Sequence, residues 1–584
     1  MGSPMQRRRP LARTYDRGMA ATLPRNSEVV EQLELLADML ELEGTEAFRL
    51  LAYRRAAQRV RETGGSIAQM ALDGRAKELQ GIGKTIEEKI VQIVEQGEIE
   101  ALAKRRQRIP PDVVAFMRLP GLGPKTARRI WLELGVSTLG ELRDAAEQER
   151  LRMLTGLGPK VEENVLRALK EQAKPKAPAR PLLGAGLPAV LAVVDALRDH
   201  PAAEQVSEAG SVRRRRETFR DLDVIATATD ARALIDAFTS FDWVVEVVAR
   251  GGTKATVISQ DGLRFDLRVV PPECYGNLLQ HFTGSKNHNV AMREEAVRRG
   301  LSISEYGITE VESGEVHTFR TEEELYEWLG YQFIPPELRE DAGELDAARK
   351  GKLPALVEEG DIRGDLHAHT TWSADGRSTM EEMALAAKAR GYSYLAITDH
   401  SHYLREGRLE AQAEELAALN ARLKPFRLLH GVEVNIRANG VLDVPDEVLA
   451  GLDWVVASVH AAFSTNPTER VLAAIENPHV DVIGHLTGRK INKRGPMDID
   501  LERVCAAAVE TGTALEINSQ PDRLDLRDAD ARLAGERCVR IVVSTDAHST
   551  SALGYLPLGI GQARRAWLTK EQVVNTRPWS KVKK

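Results

Sequence analysis

The histidines in the C-terminal part of the chain follow short apolar runs, and this placement constrains the fold more than any other feature. The motifs read D-L-H-A-H, S-A-D-G, I-T-D-H, G-V-E, A-S-V-H, I-G-H and S-T-D-A-H. They supply these metal-binding side chains: His367, His369, Asp375, His400, Glu433, His460, His485, Asp546 and His548. One histidine after a strand is usually a hydrogen-bonded core residue, but nine such side chains indicate a site for about two or three divalent ions.

The apolar runs themselves predict the parallel strands of a β/α barrel. We expect strands at Ser393–Thr398, Phe426–His430, Trp454–Ser458, Val480–Ile483, Ala514–Ile517 and Arg540–Ser544, with amphipathic helices at Met380–Arg390, Leu409–Leu423 and Leu501–Thr511. Short runs rich in β-branched residues are typical of buried parallel strands. The C-terminal ends of barrel strands converge on one mouth, so the metal-binding side chains would meet there.

The stretch from about Ile362 to Ala566 resembles the PHP (polymerase and histidinol phosphatase) family, because each of these positions carries the residue type of that family's ligand pattern. The resemblance implies a seven-stranded barrel with a trinuclear metal site that hydrolyses phosphate esters, either of DNA or of a small molecule. Arg489 in G-H-L-T-G-R, Arg523 in P-D-R-L-D and Asn518 are candidates to bind the substrate phosphate. Arginines in polar loops are, however, more often simply solvated.

Length and composition indicate a globular protein of several domains. The chain has 584 residues, 43% of them hydrophobic and 28% charged, which leaves room for about three or four domains. Its three cysteines lack C-x-x-C spacing, as in proteins of a reducing compartment. No apolar run approaches the roughly 20 residues of a membrane span, so we expect a cytoplasmic protein without a membrane partner. The net charge of −6 means that any contact with DNA must come from local charge.

One motif recurs in the helical front of the chain, as L-Q-G-I-G-K-T, L-P-G-L-G-P-K and L-T-G-L-G-P-K. A G-x-G turn before a helix is typical of a helix-hairpin-helix, in which backbone N–H groups approach a DNA phosphate whatever the base sequence. The residues expected to bind DNA are Gly81, Gly83, Lys84, Lys89, Gly121, Gly123, Lys125, Gly156, Gly158 and Lys160. A single copy would fit an ordinary helix end. The basic run at 104–108 either extends this surface or is a solvated helix face.

A second group of carboxylates lies in the middle of the chain. Asp221 and Asp223 stand two residues apart on a predicted strand and therefore project from one face, where they can share metal ions with Asp266. Gly210-Ser211 can open a turn for phosphate oxygens, and Arg214 would offset the charge of a leaving pyrophosphate. D-x-D alone commonly marks a solvated strand edge, but together with G-S and a later aspartate it indicates a nucleotidyltransferase.

Residues from about Glu28 to Gly330 resemble the family X DNA polymerases and are similar to DNA polymerase beta. F-T-G-S at Phe282–Ser285, with Asn289 and Arg293, strengthens the match, while Y-Q-F-I-P-P-E-L-R-E at Tyr331–Glu340 resembles the junction that follows the polymerase in the PolX family. The resemblance implies Asp221, Asp223 and Asp266 as catalytic Mg²⁺ ligands, and nucleotide contacts by Gly210, Ser211, Arg214, Gly284, Ser285, Asn289 and Arg293. A PHP domain behind such a polymerase is the arrangement of the bacterial and archaeal PolX family. That arrangement implies about two or three Mn²⁺ or Zn²⁺ ions in the barrel.

The fold class is therefore multidomain, with all-α helix-hairpin-helix modules, an α/β nucleotidyltransferase palm with a thumb, and a C-terminal (β/α)7 PHP barrel. We expect a disordered basic leader at 1–26, a helix-hairpin-helix DNA-binding domain at 27–105, fingers at 106–172, a linker at 173–188, the palm at 189–275, the thumb at 276–335, a linker at 336–361 and the barrel at 362–584.

The combination implies a DNA repair enzyme that fills short gaps and trims 3′ ends as a 3′-5′ exonuclease. Its partners would be gapped DNA or recessed 3′ ends of any sequence and dNTPs, and we expect a monomer. An alternative is a nuclease whose palm only holds DNA. It rests on Arg220, which replaces the family's usual glycine, and on departures at His281 and Lys286. A third interpretation is a DNA-binding adaptor whose barrel acts on small phosphate monoesters.

Lys89 aligns with the lyase lysine of DNA polymerase beta, but a phosphate-binding surface lysine is the favoured interpretation.

Overall fold

The structure is a computed structural model that describes residues 23–24, 26–45, 47–62, 66–79, 81–117, 119, 122–172 and 180–583. Most of the predicted leader 1–26, Gly121 and residues 173–179 of the predicted linker lie outside the described residues. The chain forms two compact units, 1–174 and 175–584. Among the described residues, no helix has both the length and the apolar character needed to cross a membrane.

The first unit is helical where it is described. Its helices are α1 (Asn26–Glu43), α2 (Ala47–Glu62), α3 (Ile67–Leu72), α4 (Lys84–Gln96), α5 (Glu100–Arg106), α6 (Pro111–Phe116), α7 (Pro124–Leu134), α8 (Leu139–Glu147) and α9 (Pro159–Gln172). A single apolar cluster runs from Val29 to Leu169. The predicted DNA-binding domain and fingers therefore share one core.

The second unit begins with the palm. Its elements are α10 (Leu183–Arg198), β1 (Ala203–Glu208), α11 (Gly210–Arg213), β2 (Leu222–Ala228), α12 (Ala231–Thr239), β3 (Val244–Arg250), β4 (Lys254–Ser259) and β5 (Arg264–Val270). The sheet has the order β1-β2-β5-β4-β3. Its buried face packs on α10 and α12. Leu183 and Leu187 belong to this core, so the end of the predicted linker 173–188 is the first part of α10.

The thumb follows the palm sheet. It contains α13 (Tyr275–Thr283), α14 (Lys286–Arg298), β6 (Leu301–Ser304), β7 (Gly307–Glu310), β8 (Val316–His317) and α15 (Glu322–Trp328). Helix α16 (Glu344–Arg349) lies in the predicted linker 336–361 and packs against the thumb core through Ala348. The three strands form a separate antiparallel sheet. Ser285 caps α14 by accepting a hydrogen bond from the His288 N–H, so the F-T-G-S motif ends α13 and supplies the turn to α14.

The rest of the second unit confirms the predicted (β/α)7 barrel. Its elements are β9 (Gly364–Asp365), α17 (Met380–Ala389), β10 (Tyr394–Ile397), α18 (Arg408–Leu423), β11 (Arg427–Asn435), α19 (Asp446–Leu449), β12 (Trp454–Ser458), α20 (Pro467–Ile475), β13 (Val482–Ile483), α21 (Leu501–Thr511), β14 (Ala514–Asn518), α22 (Asp528–Glu536), β15 (Ile541–Ser544) and α23 (Leu556–Arg565). All seven strands pair in parallel from β9 to β15 in chain order. A parallel bridge between Ala368 and Ala547 joins the two ends and nearly closes the barrel.

Five of the six predicted barrel strands differ from the observed bounds, and pairing explains the differences at β11 and β13. β11 runs on to Asn435, because its first half pairs with β10 and residues from Gly431 onward pair with β12. Glu433 therefore lies inside a strand rather than after one. β13 begins only at Val482, where its pairing with β12 begins.

Candidate functional site

The barrel mouth brings together all the metal-binding side chains that the sequence predicted. Glu433 lies at the centre and is buried. Its carboxylate oxygens lie near His400 Nδ1 (2.9 Å), His460 Nε2 (3.2 Å), His485 Nε2 (3.2 Å), His367 Nε2 (3.4 Å) and His369 Nε2 (3.5 Å). Asp546 Oδ1 lies 3.2 Å from His369 Nε2. Asp375 Oδ2 is 3.3 Å from both His400 Nε2 and His548 Nε2.

These donor atoms form three overlapping groups, in each of which the ligand atoms lie within 4.8 Å of one another. The groups are His369, His400 and His548; His367, His369 and Asp546; and His400, Glu433 and His460. Several of the imidazole nitrogens, including Nε2 of His367 and Nδ1 of His400, are buried and form no hydrogen bond of good geometry in the described part of the chain, although carboxylate oxygens lie close to them. Buried polar atoms are normally satisfied, so these nitrogens fit metal ligation.

The histidines of the cluster differ in charge state. Burial lowers the pKa of His369 to about 3 and that of His485 to about 4, so both imidazoles are neutral at pH 7. Burial opposes the charged form of His400 and His367 as well, but Glu433 raises the pKa of His400 to about 9 and Glu516 raises that of His367 well above its usual value. Burial opposes ionisation of Glu433, but His460 and His367 hold its pKa well below the usual range. Divalent metals require neutral imidazoles and ionised carboxylates, so metal binding here would release protons from His400 and His367.

Sequence reasoning missed the carboxylates that orient these ligands. Glu516 is buried within β14 and accepts hydrogen bonds from Nδ1 of His367 (2.7 Å) and from the N–H of His485 (2.7 Å). Its contact with Nδ1 leaves Nε2 of His367 facing the cluster, as in carboxylate–histidine–metal arrangements. Asp365 accepts a hydrogen bond from the His367 N–H (3.1 Å), and Asp399 holds the loop after His369 through Thr370. The sequence signal that could have identified Glu516 is an acidic residue inside the otherwise apolar run A-L-E-I-N.

The three predicted phosphate-binding residues have different surroundings. Arg523 lies at the cluster, with Nε 4.0 Å from Asp546 Oδ2. Asn518 is buried and donates to Asp546 Oδ2 (3.1 Å), so it supports a ligand. Arg489 instead faces the palm, where Nη2 donates to Glu217 (2.7 Å) and to the Leu524 carbonyl (2.6 Å). Of the three, only Arg523 has its guanidinium beside the ligands.

In the palm, strand pairing places Asp223 directly opposite Asp266. A Cβ at position 210 would overlap Oδ2 of Asp223, so any larger residue here would displace that carboxylate. Burial, with the negative charges of Asp221 and Asp266, raises the pKa of Asp223 to about 7. Three carboxylates that repel one another in this way form a site that a divalent cation would stabilise.

The cation that pairs with a palm carboxylate is Arg264 rather than Arg220. Nε of Arg264 lies 3.0 Å from Oδ2 of Asp266, and the hydroxyl of Thr256 donates to Oδ1 of the same side chain. Arg220 is exposed and forms no ion pair with any residue that the structure describes. Arg220 and Asp221 both precede β2, and their adjacency in sequence does not pair their side chains.

The predicted nucleotide-binding residues line the turn between α13 and α14 and the α11 loop. Arg214 Nη1 donates to the Thr283 carbonyl, and a Cβ at Gly284 would lie 3.3 Å from the same nitrogen. Asn289 donates to the His281 carbonyl (2.8 Å), and Nη2 of Arg293 lies 3.1 Å from His281 Nδ1. Ser211 and Gly210 lie in α11 itself.

The helical unit places the G-x-G turns at helix starts. Helix α4 follows Gly83, α7 follows Gly123 and α9 follows Gly158. No described atom lies within 4 Å of a Cβ built at Gly81, Gly83, Gly123, Gly156 or Gly158, which leaves the backbone open to a phosphate. Lys84 and Lys125 are exposed, whereas Gly121 and the Lys160 side chain lie outside the described residues. Burial and the nearby Arg105 lower the pKa of Lys89.

The basic run 104–108 is paired with acids of the same unit. Arg105 Nε lies 2.8 Å and Arg108 Nη2 3.0 Å from the carboxylate of Glu43. Arg106 pairs with Glu98 at 2.8 Å. Much of its positive charge is therefore offset locally.

Family comparisons match these regions separately. The DNA polymerase beta thumb family matches residues 278–340, and the PHP domain family matches residues 365–520. Helix-hairpin-helix domain matches 24–99, and SAM-like helix-hairpin-helix tandem matches 73–135 and 113–171.

Relatives match the whole chain or the barrel. The DNA polymerase/3′-5′ exonuclease PolX of Bacillus subtilis (strain 168) is 38% identical over 563 residues, which cover 94% of this chain and 97% of that protein. A probable phosphatase of Thermoanaerobacter sp. (strain X514) is 32% identical over 225 residues, or 36% of this chain and 89% of that protein. A probable phosphatase of Acetivibrio thermocellus is 34% identical over 201 residues, or 32% of this chain and 81% of that protein.

Proposed function

The chain belongs to the PolX family of DNA polymerase/3′-5′ exonucleases, and we propose that it repairs DNA by filling short gaps in the palm and trimming 3′ ends in the barrel. The observation that supports this proposal is that one chain carries two separate clusters of side chains able to hold divalent metal ions. The palm brings Asp223 and Asp266 together by strand pairing. The barrel mouth gathers every ligand type that a divalent metal site needs around Glu433.

In the palm, Asp221, Asp223 and Asp266 would hold Mg²⁺. When bound, Mg²⁺ neutralises the negative charge of the triphosphate and of the attacking primer oxygen. The reaction would be in-line attack of the primer 3′-oxygen on the α-phosphorus, with pyrophosphate leaving. Arg214 would counter the charge that develops on the pyrophosphate, and Arg264 orients the Asp266 carboxylate.

In the barrel, the histidines and carboxylates around Glu433 would hold Mn²⁺ or Zn²⁺, in about two or three sites. When bound, such ions lower the pKa of water and neutralise a phosphodiester. Glu516 fixes the His367 ring, and Asn518 fixes Asp546. Arg523, at the edge of the cluster, is the side chain best placed to bind the scissile phosphate.

The helix-hairpin-helix turns would bind gapped DNA or recessed 3′ ends through the backbone, independently of base sequence. The exposed Lys84 and Lys125 would add long-range attraction. We expect a monomer, since one chain carries the DNA-binding modules and both sites.

One assay tests the proposal. A 5′-labelled primer on a one-nucleotide gap is incubated with Mn²⁺, with and without dNTPs. Extension with dNTPs and shortening without them are the expected results. Shortening in both conditions would favour a nuclease whose palm only holds DNA. Hydrolysis of histidinol phosphate without shortening of DNA would favour a small-molecule phosphatase instead.

A second candidate activity is the removal of an abasic sugar by Lys89. The observation that favours it is the lowered pKa of this half-buried amine, which suits Schiff base formation. Borohydride reduction should then trap the protein on incised abasic DNA, and Lys89→Ala should abolish the trapped species while Lys84→Ala retains it. Equal trapping by both variants would leave Lys89 as a phosphate-binding lysine.

A further inference from the structure

The palm and the barrel meet at helix α23, the last helix of the barrel. A Cβ at Gly561 would lie 2.9 Å from Cβ and 3.0 Å from Cγ of Arg215, so the helix backbone fits directly against the palm loop. Gln562 Nε2 donates to the Arg215 carbonyl at 3.3 Å. The loop that follows α11, which is predicted to face the nucleotide triphosphate, therefore rests on a barrel helix.

Arg565 is the charged residue at the centre of this contact. Its side chain is 3% exposed. Nη1 donates to the Arg214 carbonyl (2.9 Å) and to Glu340 Oε1 (2.9 Å), while Nη2 donates to Asp528 (2.5 Å). A buried guanidinium that binds both a main-chain oxygen and two carboxylates fixes the position of the loop.

Glu340 passes this constraint to the Arg214 side chain. Its Oε1 accepts from Arg214 Nε at 3.0 Å as well as from Arg565. Burial would raise the pKa of Glu340, but Arg565 and Arg214 lower it to about 2, so the carboxylate is ionised. The other arm of Arg214 donates to the Thr283 carbonyl at the F-T-G-S turn. Hydrogen bonds from Nε to Glu340 and from Nη1 to the Thr283 carbonyl thus fix the orientation of the Arg214 guanidinium.

The charges in this cluster leave a positive excess. Arg214, Arg565 and the nearby Arg216 face the carboxylates of Glu340 and Asp528. Without Arg565 the remaining charges would cancel, and only Arg214 and Arg216 would share Glu340. Arg565 therefore keeps Arg214 available to an anion.

We propose that Arg565 of the barrel is a positioning residue for the polymerase reaction, because it holds Arg214 at the site of the incoming dNTP triphosphate. This inference rests on the proposed function. It makes the barrel part of the nucleotide site and not only a second active site.

The test compares Arg565→Ala with Arg564→Ala in the full chain. Arg564 is adjacent and pairs with Glu337 (2.7 Å) and the Val357 carbonyl, so it is a matched control for a lost contact between helix and junction. We expect Arg565→Ala to raise the dNTP KM by about tenfold, with kcat and 3′-end trimming within about twofold, whereas Arg564→Ala keeps the original KM. Arg565→Lys, which keeps the charge, should recover most of the KM.

A second variant distinguishes loss of folding from loss of function. If Arg565→Ala is unfolded by circular dichroism, Arg565→Gln replaces it, since the amide still donates to Glu340, and the same KM rise is expected. An unchanged KM, or an equal fall in extension and trimming, would overturn the inference. If the unsubstituted protein does not extend primers, the proposed function fails. Equilibrium binding of dATP with Ca²⁺ then decides the inference, with about tenfold weaker binding expected for Arg565→Ala.

Discussion

Replacing Gly210 with alanine tests whether the palm carboxylates act in the geometry that the structure gives them. Gly210 opens α11 with a φ of +63°. A Cβ there would overlap Oδ2 of Asp223 and would lie 3.3 Å from its Cγ, so the carboxylate must move. The substitution thus has two effects. It places alanine in an unfavourable backbone conformation, and it displaces a predicted metal ligand.

The two effects have different magnitudes and different readouts. Alanine in the left-handed region should lower the free energy of unfolding by about 1–2 kcal/mol. A shift of the carboxylate by about 1 Å should slow primer extension on the order of 100-fold. Trimming of 3′ ends should stay within about twofold, because the barrel ligands lie in a different sheet and distant sites act independently.

Gly262→Ala is the matched control. Gly262 lies in the turn between β4 and β5 with a φ of +75°, and no described atom lies within 4 Å of its built Cβ. Gly262→Ala therefore has only the unfavourable backbone conformation and displaces no side chain, so primer extension should be unchanged. The assays are single-nucleotide extension of gapped DNA, trimming without dNTPs, and denaturant unfolding. If Gly210→Ala extended as fast as Gly262→Ala, or if trimming fell with extension, the reasoning from Asp223 would be refuted.

Three further predictions concern the other sites. Asp223→Ala should abolish extension and spare trimming, and His369→Ala should do the reverse; loss of both activities in a folded variant would contradict the assignment of two separate sites. Glu516→Gln should weaken Mn²⁺ binding, measured by calorimetry, by about 10- to 100-fold, because the neutral amide no longer orients and polarises the imidazole of His367. An unchanged Mn²⁺ affinity would argue against this role of Glu516. Neutralising Lys84 and Lys89 together should weaken binding to gapped DNA and reduce the slope of log K against log salt by about one to two, at roughly 0.9 per phosphate contact. A loss confined to particular base sequences would speak against a phosphate contact.

The barrel and its ligand cluster follow from local sequence pattern. Apolar runs separated by amphipathic helices define parallel strands, and the C-terminal ends of such strands must converge. For this reason His369 and His548, far apart in sequence, were both expected at one mouth, where their rings stack with centroids 4.2 Å apart. Glu516 escaped the same reasoning because it lies inside its strand, where alternation places it toward the ligands instead of among the helices.

Ion pairs in and around the palm did not follow from adjacency in sequence. Arg220 adjoins Asp221, yet it forms no ion pair with a described residue, while Arg264 pairs with Asp266, two residues further along β5. The role of Glu340 in the junction segment depends on Arg565, which no periodicity connects to it. Sequence pattern specifies which face of an element is buried, but not which distant element covers that face.

The loop after β13 shows why one segment can serve both domains. It begins at the ligand His485, continues to Arg489, which pairs with Glu217 of the palm, and reaches Ile491, which is buried in the palm core with Leu524. In sequence the segment G-R-K-I-N-K-R is polar, and an arginine in such a loop is as compatible with phosphate as with a carboxylate. Ile491, the one apolar residue of this segment, was the sequence signal that another part of the chain covers the loop. Because the loop is fixed at one end by the ligand cluster and at the other by the palm core, the palm supports one wall of the metal site. This shared packing explains why the two domains form one compact unit although their chemistries are separate.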